Sequence, residues 1–547
     1  MNRRHLIALM GALAGLGVVA WAILDRAPSG VDRSQATPEE ALRPSGVGGE
    51  ELARRHCGRC HAVPAPEELP KEAWPFVMTW MGNYFGHRKN DGPFKRIALE
   101  AFIPDKPTVH GEDLAAIERY YVEAAPAQAQ MRIERPRLPV SARFRGVIPP
   151  MDIPKNDLVT LVRLHPSKPR LYVGSGHTLS LSAYDTTTGQ RVGQDHFATE
   201  PVGLEFYEGG MRLSVMGSFD HDTGTGAVVD IEGFEQGQAR RDRVLLSSYH
   251  RLTRSITADV NGDKRADLLV IGFGDGYAGV GFGRLSMLWA TESFDLLRDK
   301  APAKLPPGPL PGAWRETVLS DQAGALDGAI EDLDKDGRPD VVIVTAQARQ
   351  EVVAWMNKGG ERFERVVIMS RAPGWGHNAM AMADFDGDGH KDLVVVNGNN
   401  MEIHNPPLKP YHGVRIYQNN GDLTFTERMF FPFYGAIKAT PADFDGDGDL
   451  DIAAISFFPD WEDEPQPETF AFLENKGGWT FDPSGAPEGV WGRWLTMDLG
   501  DVDYDGAPDV ILGLGSLANG VPDALFEAYK ARFQVLPSVV FLKNKGG

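Results

Sequence analysis

Short apolar runs recur along the second half of the chain, and each one follows an acidic segment. The runs are LLVIG, VVIV, LVVV, IAAI and VILGLG, which begin at residues 268, 341, 393, 452 and 510. Continuous apolar runs of this length are typical of buried strands, because a surface helix would interrupt them with polar positions. The pattern therefore predicts a protein built largely from short, buried strands.

A second pattern follows four of these runs, namely a strand that enters an Asn- and Gly-rich hairpin. Its copies are VVAWMNKGGERF (352–363), VRIYQNNGDLTF (414–425), FAFLENKGGWTF (470–481) and VVFLKNKGG (539–547). Asn and Gly readily adopt the left-handed backbone that tight β-turns need. The order strand, acidic loop, strand, strand, hairpin and strand predicts a four-stranded propeller blade.

Two further stretches, 158–176 and 202–217, have the same two-strand shape without the acids. Together with the five acidic copies they predict an all-β, seven-bladed propeller over residues 141–547. The segment 141–148 is similar to the outer strands of later blades. We therefore expect it to complete the last blade, so that the ring has no open edge.

The acidic segments are DVNGDKRAD, DLDKDGRPD, DFDGDGHKD, DFDGDGDLD and DVDYDGAPD, which begin at residues 259, 332, 384, 443 and 501. Carboxylates at positions 1, 3, 5 and 9 of a tight loop can direct hard oxygen ligands at one Ca²⁺ ion, and Gly at position 6 permits a positive φ. These loops are not EF-hands, because position 12 is apolar in all five copies. The candidate ligands are Asp259, Asn261, Asp263, Asp267, Asp332, Asp334, Asp336, Asp340, Asp384, Asp386, Asp388, Asp392, Asp443, Asp445, Asp447, Asp451, Asp501, Asp503, Asp505 and Asp509.

The first acidic loop departs from the pattern. Lys264 stands where Gly is expected, and Asn261 supplies an oxygen without charge. A lysine there would strain the backbone and bring a positive charge near the ion, so we expect four to five calcium ions per chain.

These repeats resemble the FG-GAP or VCBS repeats of integrin α-subunit propellers, and the resemblance covers about residues 140–547. It implies a calcium-binding β-propeller. The 61 Gly and 39 Pro residues agree with an architecture rich in turns. The net charge of −19 argues against nucleic acid or an anionic membrane surface as a partner of the folded part, and favours bound cations.

The only two cysteines of the chain, Cys57 and Cys60, form a CxxCH motif with His61. Covalent attachment of a c-type haem requires such a motif, with two thioethers and an axial histidine directly after the second cysteine. A disulfide and a zinc site are the alternatives. No βαβ pattern surrounds the motif, and zinc would need a second ligand pair at sensible spacing. The motif therefore predicts one covalent haem c.

The segment EAWPFVMTWMGNYFG (72–86) predicts a helix with both of its methionines on one apolar face. CxxCH followed by a Trp and then by Met-Gly resembles the small monohaem cytochrome c domains fused to propeller repeats in exported bacterial proteins. The resemblance implies that Met81 is the sixth iron ligand. Met78 and His87 are the alternatives.

The spacing of apolar residues at 108–126 predicts an amphipathic helix that Pro126 ends. The resemblance implies that this helix packs across the N-terminal haem helix. We therefore place a small all-α cytochrome c domain at 46–126 and a linker at 127–140, followed by the propeller.

Residues 1–26 begin with basic residues and continue as an uncharged apolar run from 6 to 24. Both a cleaved signal peptide and an uncleaved anchor helix fit this pattern. Residues 27–45 have no apolar periodicity and are expected to form a flexible tether. The positive-inside rule places the rest of the chain outside the cytoplasm, in the periplasm, either tethered to the inner membrane or released.

The loops opposite the acidic ones carry the long insertions at 370–380, 397–413, 456–468 and 515–538. Such loops usually hold function. They contain or adjoin Trp375, His377, His404, Tyr411, His412, Tyr434, Trp461, Trp491 and Trp494. We see no nucleophile and base pair, phosphate loop or HExxH motif in them, so the sequence assigns them no chemistry.

The sequence favours an exported monohaem cytochrome c that transfers single electrons to or from a redox partner protein, with the propeller as its docking module. One alternative is an oxidoreductase whose propeller oxidises a small organic substrate and passes electrons to the haem. Another is an adhesion or binding propeller with an accessory haem. The carrier is favoured over the enzyme because the sequence has no recognisable site for a two-electron centre.

Overall fold

The computed structural model describes residues 43–89, 103–133, 135–217, 224–236, 240–274, 282–291, 308–309, 312–400, 406–463, 466–517 and 520–546. The expected signal or anchor segment, the tether before residue 43 and His404 lie outside these ranges. Within them, no helix combines the length and the apolar character needed to cross a bilayer.

The first part of the described chain is a small helical unit. Its helices are α1 Gly49–Cys57, α2 Trp74–Tyr84 and α3 Gly111–Ala124, with short 3₁₀ turns at Pro66–Glu68 and Gln128–Met131. Helix α2 begins with a proline in its first turn, and His110 caps α3 by accepting the amide hydrogen of Glu112 at 3.1 Å.

One apolar core holds the three helices together. Leu52 of α1 and Ile117 of α3 are fully buried against each other's helices, and the ring of Trp74 stacks on Tyr121 with centroids 3.9 Å apart. The helix expected at 108–126 is thus present and packs on α1.

Seven sheets follow. Strand β1 is Phe144–Val147. The later strands are, blade by blade: β2 Val159–Leu164, β3 Arg170–Ser175, β4 Ser180–Asp185, β5 Arg191–His196; β6 Pro201–Tyr207, β7 Gly210–Val215, β8 Gly226–Glu232, β9 Arg240–Tyr249; β10 Leu252–Ala258, β11 Asp267–Gly272, β12 Phe282–Ala290, β14 Trp314–Gln322; β15 Ala325–Glu331, β16 Asp340–Thr345, β17 Gln350–Asn357, β18 Phe363–Arg371; β19 His377–Ala383, β20 Asp392–Asn397, β21 Gly413–Asn419, β22 Phe425–Pro432; β23 Ala436–Ala442, β24 Asp451–Ser456, β25 Phe470–Asn475, β26 Phe481–Gly485; β27 Trp494–Gly500, β28 Asp509–Leu514, β29 Val539–Asn544. The short strand β13, Gly308–Pro309, adds to the second blade beside β9, and helix α4, Phe526–Phe533, lies in the seventh.

Each blade is an antiparallel sheet of four strands, which we name A to D in chain order and which pair in that order. The all-β, seven-bladed fold expected from the sequence is therefore confirmed. The seventh blade differs, because its outer strand is β1. Phe144 pairs with Asn544 and Val147 with Phe541, so the start of the propeller is hydrogen-bonded to its last strand. A buried apolar cluster that includes Val159 of the first blade and Ile511 of the seventh closes the ring.

The antiparallel order separates two faces of the ring. The acidic loops join strands A and B at one end of each blade that carries them, while the B–C and D–A connections lie at the other end. We call this other end the insertion face. It is defined by the described segments 345–350, 372–377, 397–400, 406–413, 432–436, 456–463, 466–470, 485–494, 514–517 and 520–539, together with 147–159 and 175–180. The helical unit contacts the insertion face.

Candidate functional site

The two cysteines lie at the end of α1 and in the turn after it. Both thiols are free, with Cys57 half-buried and Cys60 exposed. Burial raises the pKa of the Cys57 thiol to about 11 and also raises the pKa of Cys60. A disulfide oxidoreductase needs a thiol with a lowered pKa, so the surroundings of this pair do not suit that alternative.

His61 is held by a local hydrogen bond. Its Nδ1 donates to the carbonyl oxygen of Ala62 at 2.8 Å, which leaves the lone pair on Nε2. Burial lowers the pKa of the imidazole and favours its neutral form. A hydrogen bond from the far nitrogen to a carbonyl is the usual way in which proteins orient a metal-binding histidine. Two free thiols and an oriented neutral imidazole are a donor set that fits a c-type haem.

The three candidates for the sixth ligand differ in surroundings. Met78 is only 3% exposed and is part of the core that contains Trp74. Met81 lies three residues further along the same helix and is half-buried and outside that core. The Nε2 of His87 donates to the Val109 carbonyl at 2.8 Å, which ties this ring to the start of α3. Of the three, only Met81 neither belongs to that core nor is held by a hydrogen bond among the described residues.

The turn after the CxxCH motif contacts the fifth blade. The hydroxyl of Tyr411 lies 2.8 Å from the Glu68 carbonyl oxygen and 3.0 Å from the Gly374 carbonyl oxygen, and donates its hydrogen to this pair. The Tyr411 ring stacks on Trp375 with centroids 5.0 Å apart and planes within 6°. An aromatic pair of the insertion face thus supports the helical unit directly.

The carboxyl group of Glu68 is buried at the same contact. Its Oε1 accepts the Ala65 amide hydrogen at 3.2 Å, while Oε2 has no hydrogen-bond partner among the described residues. Burial raises the pKa of Glu68, although the nearby Lys409 and Arg371 act in the opposite direction. The contact therefore favours the protonated form of this side chain.

Three arginines of the linker pair with acids of the sixth blade's insertion. The pairs are Arg132 with Asp460 and Glu462 (2.8 and 2.6 Å), Arg135 with Glu468 (2.6 Å) and Arg137 with Asp463 (2.9 Å). Between them, the hydroxyl of Tyr434 accepts the Ile133 amide hydrogen at 2.5 Å and lies 3.2 Å from the Met131 carbonyl. The linker is thus attached along the propeller, which its composition did not reveal.

Two histidines of the insertion face are buried rather than open to a ligand. His377 and His412 are both 0% exposed. The Nδ1 of His377 donates to the Thr345 carbonyl at 3.2 Å, and burial lowers its pKa to about 3. Burial also lowers the pKa of His412 well below its usual range. Burial therefore favours the neutral form of both rings, which are enclosed in the fifth blade.

The first carboxylate of each acidic loop accepts hydrogen bonds from backbone amides later in the same loop. Asp384 accepts the amide hydrogens of Gly387 at 2.8 Å and Gly389 at 2.9 Å. Each equivalent acid also accepts two amide hydrogens of its own loop, one of them from position 6. These acids are Asp259, Asp332, Asp443 and Asp501. Position 6 has a positive φ in every copy, including +67° at Lys264.

The ninth residue of each loop joins the loop to the blade. Asp392 is fully buried and accepts the amide hydrogens of Phe385 and Asn419, both at 2.9 Å. Asn419 ends strand C, so this one side chain connects strands A, B and C. Burial raises its pKa to about 6. Equivalent contacts are made by Asp267, Asp340, Asp451 and Asp509.

Four of the five loops bring three carboxylates together, with ligand atoms within 4.8 Å of one another. The groups are Asp332, Asp334 and Asp336; Asp384, Asp386 and Asp392; Asp443, Asp445 and Asp447; and Asp501, Asp503 and Asp509. The loop 259–267, which is described throughout, does not form such a group. There, Arg265 pairs with Asp263 at 3.4 Å.

Comparison with known protein families gives two matches. The family of dihaem cytochrome c matches residues 53–138, and the FG-GAP-like repeat matches residues 332–395 and 408–454. No curated protein matches the chain.

Comparison with solved structures gives several matches of low similarity. Sqt1 of Saccharomyces cerevisiae has 11% identity and a TM-score of 0.42, over 75% of this chain and 100% of that one. The N-terminal domain of Nup159 has 11% identity and a TM-score of 0.40, over 74% and 96%. U3-55K has 10% identity and a TM-score of 0.42, over 74% and 99%.

The family matches coincide with the two parts of the structure. The cytochrome match covers the CxxCH motif, the end of α1 and the whole of α2 and α3. The repeat match covers parts of the fourth, fifth and sixth blades, which carry acidic loops. The chain therefore carries a cytochrome c domain followed by FG-GAP-like repeats in a seven-bladed propeller, which together support a haem-containing electron-transfer protein with a propeller module.

Proposed function

We propose that the chain is an exported electron carrier with one covalent haem, whose propeller fixes the haem unit and presents it to a redox partner protein. Cys57 and Cys60 would hold the haem through thioethers, His61 would bind the iron through Nε2, and Met81 would be the sixth ligand. A c-type haem bound there supplies one-electron oxidation and reduction at its iron. The main support for this proposal is the hydrogen bond from Nδ1 of His61 to the Ala62 carbonyl, next to two free thiols.

The proposed count of one haem rests on the cysteine content. The matching family is described as dihaem, but this sequence of 547 residues has only two cysteines and hence one CxxCH motif. Pyridine haemochrome absorbance against protein concentration measures the count, and we expect one haem per chain. A value of two would show that a second haem is bound without thioethers.

The identity of the sixth ligand can be tested with a matched pair of variants. Met81→Ala should convert a six-coordinate low-spin absorption spectrum to a high-spin one, because the iron loses its axial thioether. Met78→Leu keeps the volume of a core residue and should leave the spectrum unchanged. A spectrum that changes only with Met78→Leu, or only with His87→Ala, would assign the ligand to that residue instead.

The contacts of the helical unit support a docking role for the propeller. Tyr411 and Glu68 join the turn after the CxxCH motif to the fifth blade, and the linker arginines attach to the sixth. A haem unit fixed in this way would face a partner in one constant orientation, which favours fast electron exchange. Stopped-flow reduction by a small exported cytochrome should be slowed when these contacts are broken.

We also propose that the acidic loops bind calcium and stabilise the propeller. Four loops cluster three carboxylates each, and hard oxygen ligands of this kind suit Ca²⁺. Bound calcium would relieve repulsion among those carboxylates, so a chelator should lower the melting temperature of the propeller. Calcium content by plasma emission should be four per chain, or five if the loop 259–267 also binds.

A pair of variants in the acidic loop 384–392 distinguishes a candidate calcium ligand from a residue that supports the fold of the loop. Asp386→Asn removes an exposed candidate ligand, so it should lower the melting temperature only when calcium is present. Asp392→Asn removes the charge that accepts two buried amide hydrogens, so it should destabilise the protein with or without calcium. Equal effects of Asp386→Asn in calcium and in chelator would contradict the proposed site.

A further inference from the structure

Three backbone segments meet where the first and seventh blades join on the insertion face. Leu158 forms an antiparallel bridge with Gly515, and its carbonyl oxygen accepts the amide hydrogen of Gly176 at 2.7 Å. The residue before Leu158 is Asp157, and the residues after the two glycines are Ser516 and His177. The closing of the ring therefore brings together an acid, a base and a hydroxyl.

The three side chains form a chain of contacts. The Oγ of Ser516 lies 3.3 Å from Nε2 of His177, and Nδ1 of the same imidazole lies 3.4 Å from Oδ1 of Asp157. Asp157 is 4% exposed, whereas the His177 side chain is 51% exposed. A serine beside one ring nitrogen and a buried carboxylate beside the other is the order of groups found in a Ser-His-Asp triad. Distances slightly beyond normal hydrogen bonds are common in such sites before substrate binds.

Asp157 is held in place from both sides. Its Oδ1 accepts the hydroxyl hydrogen of Ser175 at 2.8 Å, and its amide donates to the Ser538 hydroxyl at 2.8 Å. The Ser538 hydroxyl in turn donates to the Pro154 carbonyl at 2.5 Å. A buried carboxylate fixed in this way can orient the imidazole and stabilise its protonated form.

The segment that carries Ser516 is equally constrained. A Cβ on Gly515 would lie 2.4 Å from a ring carbon of Phe457, so only glycine fits this close approach. On the other side, the carbonyl of Leu517 accepts hydrogen bonds from Arg493 and from the Tyr529 hydroxyl, the latter at 2.8 Å. The serine is thus positioned by packed elements and not by a free loop.

We propose that Ser516, His177 and Asp157 form a hydrolytic site for carboxylic esters, separate from the haem unit. The contacts of the helical unit involve the fourth to sixth blades, whereas this site lies between the seventh and the first. Because His177 is half-exposed, the site is open and suits acyl groups that protrude from a larger molecule or are small. No metal or cofactor is needed for this chemistry.

The reaction uses water and is balanced without an oxidant. The Oγ of Ser516 attacks the ester carbonyl carbon, and its proton moves to Nε2 of His177. The carbon–oxygen bond to the leaving alcohol breaks, and the alcohol takes the proton from Nε2. Water then attacks the acyl-serine, gives a proton to Nε2, and the serine oxygen leaves and regains that proton. The products are a carboxylic acid and an alcohol.

Fluorophosphonate labelling of the full-length, haem-loaded protein tests the site directly. We expect a single adduct on Ser516, located by mass spectrometry of the tryptic peptides, and its loss in His177→Ala. No adduct on Ser516, or an adduct that persists in His177→Ala, would overturn the proposal. This measurement needs only wild-type protein and one variant of a half-exposed residue.

Hydrolysis of p-nitrophenyl acetate gives the matching activity. Ser516→Ala should lower kcat/KM by about 10²-fold or more, because it removes the nucleophile that the base activates. Ser370→Ala changes an exposed serine at the end of β18 and should leave the rate unchanged. Equal rates in Ser516→Ala and wild type would overturn the proposal.

Discussion

The hydroxyl of Tyr411 lies 2.8 Å from the carbonyl oxygen of Glu68, although the two residues are 343 positions apart. Tyr411 belongs to the fifth blade's insertion, and Glu68 lies in the short turn that follows the CxxCH motif. One side chain of the propeller thus reaches the segment next to the proposed haem attachment. The stability of that contact can be measured.

Tyr411→Phe should weaken the attachment of the helical unit to the propeller. The variant keeps the ring stacked on Trp375 but leaves the carbonyl oxygens of Glu68 and Gly374 without this donor. A lost hydrogen bond at a buried site corresponds to about 1 kcal/mol of stability. Urea unfolding followed by haem absorbance should show this decrease.

The control for this prediction is Tyr504→Phe. Tyr504 is 56% exposed, so its variant should unfold like the wild-type protein. If Tyr411→Phe also left the unfolding curve unchanged, the hydroxyl would contribute nothing to the attachment.

The same contact should respond to pH through Glu68. Burial holds the pKa of its carboxyl above the usual value, so the folded protein binds this proton more tightly than the unfolded chain does. Its contribution to stability is therefore complete below about pH 4.5, the ordinary value for glutamate, and is lost as pH rises through the raised pKa.

Melting temperatures of wild type and Glu68→Gln across pH 4 to 8 would isolate this effect. The difference between the two proteins should grow in favour of Glu68→Gln as pH rises, because the glutamine carries no charge into the buried site. A difference that is constant over this pH range would mean that Glu68 titrates normally in the folded protein.

The local features of the fold could be predicted because their signals lie within a few residues of one another. The apolar run after Asp392 and the glycines of its loop specify a turn and a buried strand without any distant partner. The same holds for Cys57, Cys60 and His61, whose spacing itself indicates the cofactor. Short-range patterns of this kind decide secondary structure and blade number.

Features that depend on ring closure could not be predicted in this way. Ser516 and His177 are 339 positions apart, and neither lies in a recognisable motif. They meet only because the first and seventh blades become neighbours. The linker gives a second example. Its own residues predict only a connection between two domains, and its attachment depends on acids of the sixth blade more than 300 positions away.

Arg135→Ala should loosen the linker. Its guanidinium pairs with Glu468 at 2.6 Å, with side chains only 21% and 15% exposed, and Glu468 also accepts the Leu138 amide hydrogen at 2.7 Å. A pair of this kind contributes about 1 kcal/mol. Trypsin should therefore cleave at Arg132 and Arg137 faster in the variant than in the wild-type protein.

Two comparisons make the linker prediction specific. Arg145→Ala, an exposed position on β1, should leave the cleavage rate at the linker unchanged. Raising the salt concentration should accelerate cleavage in the wild-type protein more than in Arg135→Ala, because the wild-type protein has one more ion pair that salt can screen. Cleavage that is equally fast in all three proteins would show that the pairs do not restrain the linker.

Lys264→Gly should stabilise the propeller. Lys264 adopts a φ of +67°, whereas the equivalent residues Gly337, Gly389, Gly448 and Gly506 have φ between +85° and +95°. A side chain in the left-handed region costs about 1 kcal/mol, and glycine removes most of that strain while its amide can still donate to Asp259. The melting temperature in chelator should therefore rise. When calcium is supplied, the calcium content should increase toward five ions per chain, because a positive charge has left the loop. Lys358→Gly, at a position outside the left-handed region, should bring no such gain. If Lys264→Gly melted at or below the wild-type temperature, the backbone at this loop would not be strained.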